Sequence, residues 1–149
     1  LVSNKSNAPD ALCAPVISAL GLIMNQKLIY KPLTEINSRQ DANFIFENGN
    51  FEDLMLLSLS IGMQCPESEK HFAQELCIRL AGNTNAAIRA NAITGLAYIA
   101  RKHKWLNKRI VKPYILRELR ENIEFKEQIK DSIKKINLYL GWQLNRKGK

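Results

Sequence analysis

The stretch Asn85-Ala-Ala-Ile-Arg-Ala-Asn-Ala-Ile-Thr-Gly-Leu-Ala-Tyr-Ile-Ala100 limits the fold more than any other part of this chain. It reads as one amphipathic helix with a polar cap. Ile88, Leu96 and Ile99 share a wide face with small Ala92 and Gly95. Small residues on a packing face allow a neighbouring helix to approach closely. The segment is therefore expected to lie against other helices, in an architecture of stacked helical hairpins suited to holding a partner.

The punctuation around it agrees. Asn50 can cap a helix over residues 51–63, with Glu52 and Asp53 in its first turn at the positive end of the dipole. That helix is apolar almost all round and is expected to be buried. Cys65-Pro66 ends it, and Pro66 can open a helix whose stripe is Phe72, Leu76, Cys77 and Leu80. Gly82 is placed to end that helix in the left-handed conformation. Asn83 or Asn85 caps the next, which closes near Arg101-Lys-His-Lys104, where cations suit a C-terminus. Asn107 caps another helix, with Pro113 inside it as an expected kink. Phe125, Ile129, Ile133, Ile136 and Leu140 mark a last helix over residues 124–140, stopped by Gly141.

The first half is less regular. Residues 1–8 are polar and expected to be loose. A first helix can open at Asp10 or Ala14 and run to about residue 25, and a short helical turn can follow Lys31-Pro32 over residues 33–37. Phe44-Ile45-Phe46 reads as a strand or an extended linker, and Glu47-Asn48-Gly49-Asn50 as a loop. The tail over 143–149 is basic and expected to fray, with Trp142 packing back. The whole, residues 1–149, reads as one all-α domain of about six or seven helices, best defined over 51–140.

Charge is uneven. Residues 1–100 carry 7 Lys or Arg against 9 Asp or Glu, a net of −2; residues 101–149 carry 15 against 5, a net of +10, which makes the +8 of the whole chain. The C-terminal third is thus expected to attract an acidic surface, whether protein, nucleic acid or anionic lipid. No apolar run is long enough to span a bilayer. No secretory signal is visible, and the lack of an initiator Met suggests a processed or excised chain. Cys13, Cys65 and Cys77 are odd in number and far apart, and with His71 and His103 they show no metal-ligand spacing. Free thiols in a reducing compartment, and a cytoplasmic protein, are the expectation. Neither a phosphate-cradling glycine loop nor a His-Glu metal pattern is present, so no catalytic residue and no cofactor is implied.

A weak repeat follows from the stripes. Leu76, Cys77 and Leu80 align with Ile115, Leu116 and Leu119 at an offset of 39, and Ile88 and Ala92 with Ile129 and Ile133 at 41. Such a period matches HEAT-like or armadillo-like arrays, in which each hairpin leaves an apolar face for its neighbour to cover. Residues 85–100 resemble the second helix of a HEAT repeat: a short amide turn, an aliphatic-Arg pair at Ile88-Arg89, then Ala and Leu at helical steps. Asn83 or Asn85 stands where that pattern has an Asp, which departs from its Asp–Arg ladder. Ala97-Tyr-Ile-Ala-Arg, Ile-Val-Lys-Pro113 and Asp131-Ser-Ile-Lys-Lys-Ile-Asn-Leu-Tyr-Leu-Gly-Trp142 are similar to small bacterial HEAT-type immunity proteins encoded beside polymorphic toxins, including those of contact-dependent growth inhibition. The resemblance implies a non-catalytic protein that binds and neutralises one toxin domain by occlusion. Immunity proteins against nucleases are often acidic, whereas this chain is basic; its partner would need acidic patches, or meet the acidic N-terminal half.

The candidate partner-binding residues fall in two groups. Asn91, Thr94, Tyr98 and Arg101 lie on the side of their helix away from the apolar stripe, the concave side of a HEAT-like stack, and Tyr98 and Arg101 are hot-spot residue types. Lys102, Lys104, Lys108 and Arg109, with Lys112, form the densest basic run, with Trp105 inside it. The run is either a solvated face or an anionic contact surface, and Trp105 either anchors the turn, contacts a protein or stacks on a base. Lys126, Lys130 and Lys134 line a flank of the last helix, where Glu124, Glu127 and Asp131 interleave as on an ordinary wet face. Arg89 borders the apolar face, where it either bonds carbonyls or a carboxylate between hairpins, or contacts a ligand. Binding of nucleic acid through the basic third is the alternative to a protein partner.

Overall fold

The structure, a computed structural model, describes Ile36 and residues 38–145. Contacts divide the chain into two units, Leu1–Thr34 and Glu35–Lys149, and the described residues all belong to the second. The helix expected from Asp10 or Ala14, and the turn over 33–37 apart from Ile36, lie outside the described residues. Those residues form six helices and no strand, within the expected all-α class. They are α1 (Arg39–Asn48), α2 (Phe51–Gln64), a single 3-10 turn (Glu67–Glu69) leading into α3 (Lys70–Leu80), α4 (Ala86–His103), α5 (Lys108–Glu121) and α6 (Lys126–Leu140). None is long and apolar enough to cross a membrane.

Side-chain caps set most of the starts. Asn50 and Asp53 form a reciprocal capping box at α2, with Asp53 N donating to Asn50 Oδ1 at 2.9 Å and Asn50 N to Asp53 Oδ2 at 3.1 Å. Asn85 Oδ1 accepts from the amides of Ala87 and Ile88 at α4, and Asn107 Oδ1 from Ile110 at α5. α5 continues through Pro113. Gly141, at φ 71, ends α6 in the left-handed conformation.

Three expectations fail locally. Phe44-Ile45-Phe46 is neither strand nor linker but the middle of α1, which also takes in Glu47 and Asn48 of the expected loop and which Ser38 caps by accepting from Asp41 N at 3.1 Å. The period decides this: Ala42, Ile45 and Phe46 pack inward at helical steps, and Phe44 turns out to 67% exposure. Gly82 is not left-handed. α3 instead closes by tightened bonds, from Gly82 N to Arg79 O and Asn83 N to Leu80 O, while Arg117 caps the Ala81 carbonyl. The tail holds further than expected, because Leu144 is buried and exchanges two hydrogen bonds with Asn137.

α4 is the centre of the unit. Its Ile88, Ile93, Leu96 and Ile99 are buried, as are Ala90, Ala92, Ala97 and Ala100. α2 and α6 flank it and run the same way: Asn91 meets Met55 early in α2, Lys102 meets Met63 at its end, and Thr94 meets Ser132 of α6. α5 runs opposite to α4, since Asn122 at its end bonds Ala86. α3 runs with α5, since Asn107 N reaches Gln74 and Arg117 reaches Ala81. The result is a row of α2, α4 and α6 backed by a row of α3 and α5.

Glycines permit the closest contact in that row. A Cβ on Gly95 would lie 2.7 Å from Ser58 O and 3.0 Å from Cys77 Sγ, and one on Gly62 would lie 2.7 Å from Gly95 O. Gly95→Ala is therefore expected to lower stability by about 1–3 kcal/mol through overpacking, outweighing a helix-propensity gain of about 1 kcal/mol. Gly82→Ala, whose added Cβ meets only Arg79 O at 3.4 Å, is expected to leave stability unchanged or raise it. Urea denaturation of the two variants checks both; a Gly95→Ala protein as stable as the parent would show that α2 and α4 are not in backbone contact.

Candidate functional site

The structure separates the nine candidate residues. Asn91 and Thr94 do not face an open concave surface. Asn91 is 6% exposed; its amide donates to Met55 O at 2.8 Å and its Oδ1 accepts from Gln128 Nε2 at 2.8 Å. Gln128 Nε2 also donates to Thr94 Oγ1, which lies 3.1 Å from Ser132 Oγ. The two side chains stitch α4 to its flanking helices, because α2 and α6 close over the side of α4 that carries them. Tyr98 is half-buried beside Gly62, with Arg101 exposed above its ring at 5.9 Å.

Of the other candidates, Lys104 and Lys108 meet rings of the α6 end where α4 finishes and α5 begins, while Lys102 turns to the end of α2 and Trp105 to the start of α3. Lys104 takes the left-handed position after α4, at φ 53. Its ammonium donates to Arg101 O and stands 5.5 Å from the Tyr139 ring centre. Lys108 stands 5.3 Å from the ring centre of Trp142. Trp105 is half-buried against the core, 4.4 Å from His71 ring to ring, with Lys70 over it at 5.2 Å. Lys102 donates to Met63 O, and Arg109 and Lys112 are exposed. Among the described residues, Arg101, Lys102, Lys104, Lys108, Arg109 and Lys112 make no ion pair. The outer face of α6 is mixed: Lys130 pairs with Glu127 at 3.6 Å and Lys135 with Asp131 at 3.0 Å, while Lys126 and Lys134 make no ion pair among the described residues. Tyr139 and Trp142 belong to the basic end although sequence reasoning does not select them. The available signal is their place beside the Gly141 helix stop.

Arg89 takes the structural role. It donates to Glu118 Oε1 at 3.1 Å and to the carbonyls of Asn83 and Thr84. Glu118, only 2% exposed, also receives Arg117 and the Asn122 amide. The carboxylate opposite Arg89 thus comes from α5, and the turn before α4 supplies carbonyls where an Asp–Arg ladder would supply a side chain.

One cluster is invisible in the sequence because 38 residues separate Cys65 from His103. His103 Nε2 lies 3.4 Å from Cys65 Sγ, and its Nδ1 lies 3.5 Å from Glu67 Oε1. The order thiol, imidazole, carboxylate is that of a nucleophilic triad. The details oppose it. The same Nε2 sits 3.0 Å from the Cys65 carbonyl, which only accepts, so this nitrogen carries a proton and is no base. Burial pushes the Cys65 thiol up, against the opposing charge of Lys102. Glu67 is held below the usual carboxylate range by its hydrogen bond and charge contact with Lys70. Among the described residues no group of three or more His, Cys, Asp or Glu is arranged for a metal ion.

The helical frame has a solved counterpart. The fold is similar to that of a chain in the crystal structure of a CDI complex from Cupriavidus taiwanensis LMG 19424, at a TM-score of 0.61 and 18% identity, over 74% of this chain and 96% of that one. No family model and no curated protein matches the sequence.

Removing Glu118 would take the shared carboxylate from Arg89 and Arg117, which are partly exposed and keep their bonds to backbone carbonyls. Glu118→Ala is expected to cost about 1.5–3 kcal/mol in denaturant unfolding, whereas Glu121→Ala, which removes an exposed pair with Arg120, is expected to cost under about 1 kcal/mol. The thiols offer an independent check. Burial raises both Cys65 and Cys77 above the ordinary thiol range, so neither supplies much thiolate at neutral pH. In a Cys13→Ser background, both are expected to resist iodoacetamide in the folded protein and react on denaturation; rapid native alkylation of Cys65 would reopen the triad.

Proposed function

We propose that this protein is a non-catalytic binding module that neutralises a toxin domain by occluding it, as an immunity protein of a contact-dependent growth inhibition system in the bacterial cytoplasm. The observation that carries the reading is the likeness of its helical frame to nearly the whole of a chain from a CDI complex. The row of α2, α4 and α6 backed by α3 and α5 supports the HEAT-like description. The stitched seams between helices support a preformed surface that changes little on binding. The basic end supports a partner with acidic patches.

Nucleic-acid binding is the alternative, favoured by the six cations without carboxylate partners at that end. Salt separates the two. Binding through six or more phosphates weakens on the order of 10³-fold between low and physiological salt, whereas a tight protein interface loses far less.

The test is co-expression in bacteria with the C-terminal domain of the toxin-like reading frame next to its gene. Growth is expected to recover, and the two proteins to co-purify at physiological salt. Continued growth arrest with this protein present and folded would refute the immunity reading.

A further inference from the structure

We infer that the end of the unit formed by Arg101, Lys104, Lys108, Tyr139 and Trp142 is a docking surface for a folded protein that presents clustered carboxylates. The inference rests on the protein-binding reading above and supplies its location and the chemistry of its partner.

Two independent observations point there. The first is local electrostatics. Arg101 and Lys102 close α4, where the helix dipole favours cations. Lys108 and Arg109 open α5, whose first turn holds no acidic residue, and there the dipole opposes them. Those cations do not stabilise their own helix and have no carboxylate partner among the described residues. A sequence that breaks a local rule without a compensating contact marks a site used for something else.

The second is how the cations are held. Lys104 sits over Tyr139, Lys108 over Trp142 and Arg101 over Tyr98, at 5.5, 5.3 and 5.9 Å. Tyr139 and Trp142 are themselves packed on the core. A free Lys or Arg side chain carries roughly 2 kcal/mol of rotamer entropy. A ring beneath the charge restricts that freedom before any partner arrives, which favours binding by preorganisation. Fixed charges suit a partner whose carboxylates are fixed too.

The same seating disfavours nucleic acid. Stacking on a base needs an open ring face. Tyr139 and Trp142 have the core on one side and an ammonium on the other, and Trp105 is taken by His71 and Lys70. Along the outer face of α6 cations alternate with acids, Glu127 pairing with Lys130 and Asp131 with Lys135, which leaves Lys126 and Lys134 without an ion pair among the described residues but breaks the row as a continuous phosphate track.

Isotope-labelled protein titrated with a polyglutamate peptide, and separately with a poly-dT strand of equal charge, tests this by amide shifts at low salt. Polyglutamate is expected to shift residues 98–109 and 139–142. Lys104→Glu with Lys108→Glu is expected to weaken it at least about tenfold, and Lys130→Glu with Lys135→Glu by less than about twofold. Tyr139→Leu with Trp142→Leu keeps the charge but is expected to weaken binding about threefold, with thermal unfolding recorded to confirm a folded protein. Equal loss in both charge-reversed pairs, shifts centred on the outer face of α6, or tighter binding of poly-dT would overturn the proposal. Full protection from the toxin domain by the Lys104, Lys108 variant would also overturn it, leaving the immunity reading intact. A parent protein that binds polyglutamate at these residues but gives no protection would sink the immunity reading and support the surface.

Discussion

Backbone contact between α2 and α4 at Gly62 and Gly95 sets the geometry of everything else. With any side chain at Gly95 the two helices would have to separate, since the added carbon would lie 2.7 Å from Ser58 O. Held this close, α4 is covered along one flank by α2, and α3 reaches it from behind through Cys77. A helix enclosed on several sides cannot keep a plain amphipathic pattern. This explains why α4 buries Asn91 alongside Ile88, Ile93 and Leu96.

A buried polar group needs a partner, and Asn91 and Glu118 find theirs on neighbouring helices. Asn91 commits its amide to a carbonyl of α2 and its oxygen to Gln128 of α6, so one side chain spans the whole front row. On the other side, Glu118 gathers Arg89 of α4 and Arg117 of its own helix, and Arg117 in turn closes the end of α3. These contacts are directional where apolar packing is not. They fix how far each helix slides along its neighbour, and so fix the relative positions of residues 101–108 and 139–142, which arrive from different helices.

How much of this is legible in the sequence depends on distance along the chain. Caps and stops are local, so Asn50, Asn85, Asn107 and Gly141 can be read from their neighbours. The stripe of Ile88, Leu96 and Ile99 with Ala92 and Gly95 is legible because helical periodicity is a short-range signal. Phe44-Ile45-Phe46 misleads because three apolar residues carry no period of their own. Asn91 and Thr94 mislead for a different reason: their polarity suggests solvent, and only the arrival of Gln128, far along the chain, shows that they are satisfied inside. The Cys65–His103 approach and the Glu118 ladder are also long-range pairings, for which spacing gives no cue. The site is half legible, as a run of cations; two of the rings that position them come from the end of another helix.

The basic character of the C-terminal third therefore divides by cause. On α6 it is partly offset, by acids three and four residues away at Lys130 and Lys135. At the end of α4 it complements the dipole. At the start of α5 it does neither. Net charge alone treats these cations as equivalent, and from that number a polyanion of any kind would fit. Sorting them by how they are held sets apart Lys104 and Lys108, seated over Tyr139 and Trp142, with Arg101 over Tyr98, as charges placed before a partner arrives. Such a group matches a partner of fixed shape. The seams inside the fold and the chemistry at its end are coupled in this way: rigidity in the first gives selectivity to the second.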